Sequence, residues 1–450
     1  MRIGFWLDTG LVWTGLRNFM QRFRISHFLL LYFAAHMLQI GFPSDGSMIF
    51  DEAHYVPASL DTLMGIAANA EHPPLPKIIG ALGIAVFGNN WFGWRFPVVL
   101  MQVIALYLFY LIGKRLLGHL WAFGATAILA FDPVFFIHGG ALLIDMPSFL
   151  FGFLAIELYM RRRYGWSATS MGLAFLSREM SIFYFAALAI YHFFTNRQQL
   201  RPALKLGLLF TLIALLIFGS LLWFYDLAYK PPISTSVTDI VSQQVLIGGN
   251  GTAVSTALVT SQSISQQVIW NPIQHLLFIY NYHGPNGIVL NASYEPYQYA
   301  WNWILPVDPF NVPTYYRVDV TVTTGSTTQD YAPIWYAAQP NLSLWYGFWP
   351  AIAGLVYAIA RKKEESATAV LILSGIILNF APWVALSLLV RRIGFNYYMI
   401  WTLPFIALGL AFTWKLLPAR YGKIALAVNV LVSLVFFLWF FPVRPLLYSP

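Results

Sequence analysis

The sequence contains no cysteine, and only 10% of its 450 residues are charged. Without cysteine the chain cannot form a disulfide, a thiolate metal site or a thiol nucleophile, whatever redox compartment it occupies. Soluble domains carry about 25% charged residues, so the scarcity of charge excludes an ordinary soluble domain. Hydrophobic residues make up 58% of the chain instead. This composition predicts an integral membrane protein.

Long apolar runs recur along the chain, and roughly 20 apolar residues are enough to cross a bilayer as a helix. We therefore predict an all-α, multi-pass bundle of about eleven transmembrane helices. The predicted spans are 26–42, 95–113, 119–137, 144–160, 165–177, 179–195, 203–226, 343–360, 366–390, 397–414 and 423–441.

Basic residues lie in short clusters between the apolar runs, such as "KR" at 114 and "RRR" at 161. Cytoplasmic loops carry an excess of Lys and Arg, so these clusters predict topology and not nucleic-acid binding, despite a net charge of +8. In the cell membrane, residues 1–25 are then a cytoplasmic interfacial segment and not a cleavable signal. The segments 43–94 and 227–342 lie outside. The chain thus divides into 1–25, a transmembrane module 26–226 that includes the loop 43–94, the loop 227–342, and C-terminal helices in 343–450.

The outer segment 227–342 differs in composition from the rest of the chain. Stretches such as "VDVTVTTGSTTQ" alternate polar and apolar residues with a period typical of strands, so we expect a partly β loop with helical pieces. It contains three N-x-S/T sequons, at Asn250, Asn291 and Asn341. They fit an exterior location in a glycosylating cell, and chance occurrence in a Ser/Thr-rich loop explains them equally well.

Two adjacent carboxylates, Asp51 and Glu52, follow the first predicted span in "FDEAHY". Charge close to a bilayer is costly unless it is paired or solvated, and is by default a functional candidate. An ordinary solvated pair at the interface is the alternative. A helix that begins near Phe50 would place Asp51, His54 and Tyr55 on one face of a turn. A carboxylate beside an imidazole and a phenol can accept a proton from a bound hydroxyl.

The stretch "EHPPLPKIIGALGIAVFG" places two prolines before an apolar helix that is too short to span. We expect this helix to lie on the outer surface and to direct His72 and Lys77 toward the cavity of Asp51, although a plain turn before a helix accounts for the motif as well. Arg95, at the outer end of the second span, is either an interfacial anchor or a ligand for a lipid phosphate, to which a guanidinium is suited.

Further charged residues are predicted at the same outer rim, against the positive-inside preference. They are Asp145 at the start of the fourth span, Arg178 with Glu179 between the fifth and sixth, and Arg391 near the C-terminal spans. Either Arg178 and Glu179 neutralise each other, or the rim arginines together hold an anionic substrate.

Taken together, these motifs resemble those of the protein O-mannosyltransferases, membrane glycosyltransferases of the GT-C class that use a dolichyl- or polyprenyl-phosphate sugar. The family's first outer loop carries an Asp-Glu pair, an "HPPLGK"-like motif and an Arg at the end of the second span, which match "FDEAHY", "HPPLPK" and "GWRFP" in order and approximate spacing. The segments "LLIDMPS", "GLAFLSREMS", "YEPYQYAWNWILPVDP" and "RRIGFNYYMIW" are similar to later family segments. The resemblance covers most of the chain and implies the archaeal or bacterial type, which lacks the β-trefoil domain.

The chain departs from the family pattern at a few positions. Gly140 stands where the family often has Arg, and Tyr398 where it has His. Glu179 and Met180 follow Arg178, the counterpart of a family Lys, where Trp is usual. These differences bear on the particular sugar or acceptor more than on the class of reaction.

The resemblance implies transfer of mannose, with inversion, from a lipid phosphate to Ser or Thr hydroxyls of secreted or membrane proteins. Asp51 is expected to act as the base and Glu52 to orient the site. The donor phosphate is assigned to Arg95, Arg178 and Arg391. Substrate binding is assigned to His54, His72, Lys77, Asp145 and Tyr398. No cofactor is required on this interpretation, although two carboxylates and His72 could hold a divalent cation, and a dimer is compatible with it.

Three other classes compete with this interpretation. A GT-C transferase that glycosylates a lipid, as the aminoarabinose transferases do, shares the predicted fold, whereas "HPPLPK" and the aromatic residues of the long loop favour a protein acceptor. A transporter would carry ionisable residues or broken helices near the membrane midplane, but the charges here collect at the outer rim. If the chain were a structural membrane subunit, Asp51 would have no chemical role.

Overall fold

The computed structural model describes residues 24–41, 48, 51–229, 271–283, 299–305, 320–324, 327–331, 335–336, 340–361, 364–389, 394–441 and 443–444. The predicted interfacial segment 1–25 lies almost wholly outside these residues. Arg391 and the sequons at Asn250 and Asn291 also lie outside them.

The described chain is helical for most of its length. Its α-helices are α1 (Ile25–Gln39), α2 (Glu52–Leu63), α3 (Leu75–Phe87), α4 (Trp91–Leu117), α5 (His119–Ala130), α6 (Pro133–His138), α7 (Asp145–Met160), α8 (Tyr164–Ser177), α9 (Ser181–Thr195), α10 (Leu200–Ala228), α11 (Pro272–His283), α12 (Leu342–Trp345), α13 (Phe348–Ala360), α14 (Ser366–Leu389), α15 (Leu403–Leu416) and α16 (Ala419–Trp439). Two 3-10 helices cover Ala300–Trp303 and Asn396–Trp401. The strands β1 (Val320–Thr324) and β2 (Thr327–Tyr331) pair antiparallel, as do β3 (Trp335–Tyr336) and β4 (Val443–Arg444).

Several helices are long and apolar enough to cross a membrane. Within the described ranges there are five: α4, α10, α12 taken together with α13, α14 and α16. Shorter apolar helices, among them α5, α9 and α15, pack against these long ones. The chain is therefore an integral membrane protein built as a helical bundle, as the composition predicts.

The prediction of one continuous span over 119–137 is wrong, because the helix is interrupted at Phe131 and Asp132. The Asp132 carboxylate accepts a hydrogen bond from the Phe135 N–H at 2.8 Å and so caps a new helix, α6. Its second oxygen accepts from the Asn341 N–H at 3.0 Å and from Trp345 Nε1 at 2.9 Å. The interruption thus fastens the start of α12 to the junction between α5 and α6.

The third sequon has a structural role. Asn341 is fully buried, its Oδ1 accepts from the Ser343 N–H, and its Nδ2 donates to the Phe131 carbonyl at 3.1 Å. An asparagine held in this way is not accessible to a glycosyltransferase.

A tight turn places Arg95 at the beginning of α4. Helix α3 ends at Phe87 and is followed by Gly88, whose φ of 87° favours glycine. The side chain of Asn90 then caps α4 by accepting hydrogen bonds from the N–H groups of Phe92 and Gly93, at 3.0 and 3.1 Å. Arg95 consequently lies in the first turns of α4, at the end of the bundle where α2 also begins.

Arg95 and Glu52 form a fully buried ion pair between α4 and α2. Arg95 donates from Nε to Glu52 Oε1 at 2.9 Å and from a terminal nitrogen to Oε2 at 2.7 Å. Its other terminal nitrogen donates to the Ile40 carbonyl at 3.0 Å, and the Leu142 N–H donates to Glu52 at 2.9 Å. The pair therefore joins the end of α1, the start of α2, α4 and the connection between α6 and α7.

We expect Glu52→Gln to lower the free energy of unfolding by about 3–5 kcal/mol, because removing one partner of a buried ion pair leaves the other charge uncompensated. Thermal unfolding of the detergent-solubilised protein measures the loss. The double variant Glu52→Gln/Arg95→Met should recover part of it, since no unpaired charge then remains.

The matched control is Arg115→Met at the opposite end of α4. Arg115 pairs with Glu157 at 2.9 Å, but its side chain is 42% exposed, and the buried Glu157 carboxylate keeps Arg161 as a partner at 2.8 Å. A loss of about 0–1 kcal/mol is therefore expected. Equal losses in Glu52→Gln and Arg115→Met would contradict the structural role of the buried pair.

Candidate active site

Asp51 lies at the N-cap position of α2, beside the buried ion pair but not part of it. Its carbonyl accepts hydrogen bonds from the N–H groups of His54 and Tyr55, each at 2.9 Å. The first turn of α2 therefore forms as the sequence predicts. Asp51 and His54 are partly exposed, whereas Tyr55 is buried.

A second charged cluster surrounds Asp145 at the first residue of α7. Its Oδ1 accepts hydrogen bonds from the Arg178 guanidinium and from Trp401 Nε1, the latter at 3.1 Å, and its Oδ2 faces His138 Nδ1 at 3.0 Å. The Arg178 guanidinium also lies over the Trp401 ring, 5.5 Å from its centroid. His138 stacks on Tyr397 with the ring centroids 5.4 Å apart. This network connects α6, α7, the end of α8 and the second 3-10 helix.

Both charges of this cluster act on the pKa of Asp51, so Asp51 lies within electrostatic range of Asp145 and Arg178. Burial raises the pKa of Asp51 to about 7, the positive charge of Arg178 lowers it, and the negative charge of Asp145 raises it again. A carboxylate with such a pKa is ionised for about half of the time at neutral pH and can both accept and release a proton.

The Arg178 guanidinium has a hydrogen-bond donor that Asp145 does not engage. Its side chain is only 7% exposed, and its Nε is buried without a hydrogen-bond partner among the described residues. The negative charges around it, chiefly those of Asp145 and Glu179, outweigh its burial and hold its pKa above the usual value for arginine. Arg178 therefore remains a cation, with its Nε 3.9 Å from Glu179 Oε1 and not engaged by Asp145.

The "HPPLPK" motif forms a connection that Lys77 holds from the inside. The Lys77 ammonium donates to the backbone carbonyls of Asn69 and His72, the latter at 2.8 Å, and Lys77 is almost wholly buried. Asn69 adopts a positive φ of 53°, and its Nδ2 donates to Glu71 at 2.7 Å. Lys77 thus shapes the loop that presents His72.

His72 faces Glu179 and His283. His72 Nδ1 lies 3.6 Å from Glu179 Oε2, and His283 Nε2 lies 3.8 Å from Glu179 Oε1. The two imidazole centroids are 4.8 Å apart, and the Tyr55 ring lies edge-on to His72 at 6.1 Å. Burial alone would raise the pKa of Glu179, but the positive charge of His72, with those of Arg178 and His283, holds it below its usual range.

Four of the predicted site residues, Arg95, Glu52, Lys77 and Tyr398, occupy other environments than the sequence indicates. Arg95 is fully buried against Glu52, so neither is presented to a substrate; the assignments of Arg95 to the donor phosphate and of Glu52 to catalysis are revised to structural ones. Lys77 binds loop carbonyls. Tyr398 stacks on Trp383 at 4.1 Å within an aromatic cluster, and its neighbour Tyr397 is the tyrosine that contacts the Asp145 network.

The space around Gly140 is already filled in this chain. A Cβ added at Gly140 would lie 3.2 Å from His36 Nδ1 and 3.6 Å from Gln39 Nε2. His36 in turn stacks on Phe136 with centroids 3.8 Å apart. A long side chain at position 140 therefore requires His36 and Gln39 to move, which gives a packing reason for the glycine.

Three residues of the site were not identified from the sequence: His138, Trp401 and His283. His138 lies seven residues before Asp145, a spacing that carries no recognisable signal. Trp401 and His283 come from segments far away in the chain, and only the packing of helices brings them to Asp145 and Glu179.

Comparison with known proteins agrees with the motifs. Residues 71–223 match the sequence model of the family described as dolichyl-phosphate-mannose-protein mannosyltransferase. A polyprenol-phosphate-mannose–protein mannosyltransferase of Mycobacterium tuberculosis is 36% identical over 126 residues, and that of Corynebacterium glutamicum is 23% identical over 466 residues. The chain is thus similar in sequence to protein O-mannosyltransferases. The family resemblance read from the sequence is thereby confirmed.

The extent of these matches differs. The match to the M. tuberculosis protein spans 26% of this chain and 24% of the relative, whereas the match to the C. glutamicum protein spans 90% and 86%. The family segment 71–223 includes the positions of His72, Asp145, Arg178 and Glu179, while Asp51 precedes it.

Solved structures confirm the predicted GT-C-type fold of this chain. The structure of the S. cerevisiae protein O-mannosyltransferase Pmt1-Pmt2 complex bound to the sugar donor matches with a TM-score of 0.66 over 93% of this chain and 89% of that chain, at 10% identity. ArnT from Cupriavidus metallidurans bound to undecaprenyl phosphate matches with a TM-score of 0.53 over 89% and 62%, at 14% identity. At these identities the likeness concerns the fold alone.

We expect Arg178→Met to raise the pKa of Asp51 above 7, because the positive charge of Arg178 favours the ionised carboxylate. Asp145→Asn should lower the pKa of Asp51, since it removes a negative charge. The pH dependence of carbodiimide labelling at Asp51, followed by peptide mass spectrometry, measures both shifts. Shifts of the same sign in the two variants would show that Asp51 does not share a site with these residues.

Proposed function

We propose that the chain is an inverting glycosyltransferase that moves a mannosyl group from a polyprenyl or dolichyl phosphate to Ser or Thr hydroxyls of proteins. The names of its relatives support the donor and the protein acceptor. The observation that carries the proposal is a carboxylate with a near-neutral pKa, Asp51, in the same site as the partly unsatisfied guanidinium of Arg178.

Asp51 is the proposed general base. The acceptor oxygen attacks the anomeric carbon, the bond from that carbon to the phosphate oxygen breaks, and the hydroxyl proton passes to Asp51. Attack on the face opposite the leaving group inverts the anomeric centre. A positioned base typically contributes about 10²–10⁴ in rate, and a pKa near the working pH suits that task.

Arg178 is the proposed ligand of the donor phosphate. The polyprenyl phosphate departs with the electron pair of the broken bond, and its negative charge develops next to a fixed cation in a largely buried site, where such stabilisation is strong. With this charge stabilised, the leaving group needs no general acid. The sequence suggested both Arg95 and Arg178 as ligands of the donor phosphate. Because Arg95 is buried against Glu52, we assign this role to Arg178.

The location of the site supports a reaction at one membrane surface. Asp51, Asp145 and Arg178 lie at the ends of α2, α7 and α8, at the end of the bundle opposite Arg115 and Arg161. Cytoplasmic loops are enriched in such basic residues, so we place the site on the extracytoplasmic face of the cell membrane. There the donor tail stays in the bilayer while the acceptor stays in water.

The lipid-acceptor alternative rests on the fold that the chain shares with ArnT. Relatives named as protein mannosyltransferases favour a protein acceptor. Incubating the purified protein in nanodiscs with polyprenyl-phosphate mannose and a Ser/Thr-rich peptide, then mapping the sugar by mass spectrometry, tests this choice. Modification of a lipid with the peptide left unmodified would overturn the protein acceptor.

Asp51→Asn is expected to reduce kcat about 10²- to 10⁴-fold, because the amide cannot accept the proton. The wild-type rate should rise with pH through about 7, since the base must be ionised and burial raises the pKa of Asp51 to about 7. Transfer to the acceptor peptide is measured across this pH range. Asp61→Asn, later in the same helix, is the control and should keep both rate and profile. A profile that is flat through pH 7 would remove Asp51 from the base role.

Arg178→Met is expected to weaken binding of polyprenyl phosphate roughly 10- to 150-fold, since hydrogen bonds to charged groups contribute about 1.5–3 kcal/mol. Titration of the purified protein, followed by tryptophan fluorescence, gives the dissociation constant. Asp145→Asn is the matched control, because it breaks the same ion pair but keeps the guanidinium and should retain the donor. Unchanged affinity in Arg178→Met would assign the phosphate to another cation.

A further inference from the structure

The cluster formed by His72, Glu179 and His283 has the donor atoms and the spacing of a metal site. One imidazole nitrogen from each histidine and a carboxylate oxygen all lie within 4.8 Å of one another. Tetrahedral zinc has ligand bonds of about 2.0–2.1 Å, which puts neighbouring ligand atoms about 3.3 Å apart. The separations of 3.6 and 3.8 Å to the two Glu179 oxygens need to shrink by a few tenths of an ångström, and any pair near the 4.8 Å limit must close by more than an ångström.

Two of the facing atoms are unsatisfied. His72 Nδ1 and Glu179 Oε2 are both buried and lack a hydrogen-bond partner, although only 3.6 Å separates them. Buried polar atoms are normally paired, because an unpaired one costs about 1–3 kcal/mol. A cation between them would satisfy both at once, which a slightly long histidine–carboxylate contact does not.

The local charges also favour a cation. Arg178 is paired with Asp145, and the Lys77 ammonium is shared between Glu71 and Glu179 while its hydrogen bonds go to backbone carbonyls. Among the described residues, the ion-pair contacts of Glu179 are a long one of 3.9 Å with Arg178 Nε and those with the two histidines. With neutral imidazoles, a divalent ion balances this carboxylate and leaves one positive charge, which is a common balance for a His-His-carboxylate site.

The surrounding structure orients two of the ligands. Lys77 fixes the backbone of His72 through its carbonyl, and the two prolines that follow restrict His72 to an extended conformation. His283 Nε2 donates to the Glu71 carbonyl at 2.9 Å. This hydrogen bond fixes the orientation of the His283 ring. A metal at Nε2 replaces the proton, and the Glu71 carbonyl must then move away from the line of that nitrogen.

We infer that His72, Glu179 and His283 bind a divalent transition-metal ion, of which zinc is the best representative. Two imidazoles and one carboxylate form a recurrent ligand set for zinc and for related metals. The ion would join three segments distant in sequence: the loop before α3, the connection between α8 and α9, and the end of α11. The set predicted from the sequence, with Asp51 and Glu52, shares only His72 with it.

The role of the ion is to hold α11 and the "HPPLPK" loop against the residue that follows Arg178. Each ligand belongs to a different one of these segments, so the metal would cross-link them in the way that structural zinc sites do. This inference does not depend on the transfer reaction, and its test uses metal content and stability only.

The experiment uses the full chain in nanodiscs, purified with a tag that contains no histidine. The protein is stripped with a chelator, equilibrated with zinc, dialysed, and analysed by inductively coupled plasma mass spectrometry. Wild type should retain about one zinc per chain. Glu179→Gln, which is nearly isosteric, and His283→Gln should retain less than about a tenth of that, because removing even an outer partner of a metal ligand weakens binding about 10- to 100-fold.

His119→Gln is the matched control, since His119 is an exposed histidine outside the cluster, and it should bind zinc like wild type. Circular dichroism of the stripped proteins checks that the variants fold. Added zinc should raise the melting temperature of wild type and of His119→Gln but not of Glu179→Gln. A wild-type protein that retains no zinc, or cluster variants that retain as much as wild type, would overturn the metal site.

Discussion

The buried ion pair between Glu52 and Arg95 is the interaction on which the arrangement of the site depends. Removing two charges from water costs several kcal/mol per ion, and here two mutual hydrogen bonds and the backbone partners at Ile40 and Leu142 offset that cost. These partners lie on different segments. The pair therefore fixes the start of α2, which carries Asp51, relative to the connection that leads to Asp145. A shift in either segment would break a hydrogen bond to a buried charge.

Because Glu52 is held by Arg95, the consecutive carboxylates Asp51 and Glu52 have different roles. Successive residues of a helix point about 100° apart, so Glu52 faces the interior between α2 and α4 while Asp51, at the start of the helix, faces the charges of Arg178 and Asp145. A carboxylate clamped by a guanidinium is not placed to receive a proton. One that is partly buried between a cation and an anion has a pKa close to neutrality. The environment of each carboxylate, and not its residue type, therefore decides which has a structural role and which has the proposed catalytic one.

The sequence predicted the features that depend on local patterns. Apolar runs located α4, α10, α14 and α16, and the spacing after Phe50 predicted the first turn of α2. The prediction that Arg95 binds the donor phosphate failed. A position at a helix end does not reveal whether a guanidinium faces a lipid phosphate or a buried carboxylate 43 residues away. The sequence could not connect Trp401 with Asp145, 256 residues apart, or His283 with the loop at Glu71, 212 residues apart. Such contacts follow from the packing of helices, which has no periodic signature in a single sequence.

The same constraint that makes charge scarce in this chain explains where the charge is found. An ionisable side chain within the hydrocarbon is costly, whereas the ends of helices meet water and leave backbone groups unsatisfied. The charged residues of the described site occupy such ends and connections: Asp51 before α2, His72 before α3, Asp145 at the start of α7, Arg178 and Glu179 after α8, and His283 at the end of α11. In the proposed reaction a lipid-linked sugar and a water-soluble acceptor meet at this level. Solvation therefore concentrates the charged groups at the surface where both proposed substrates are accessible.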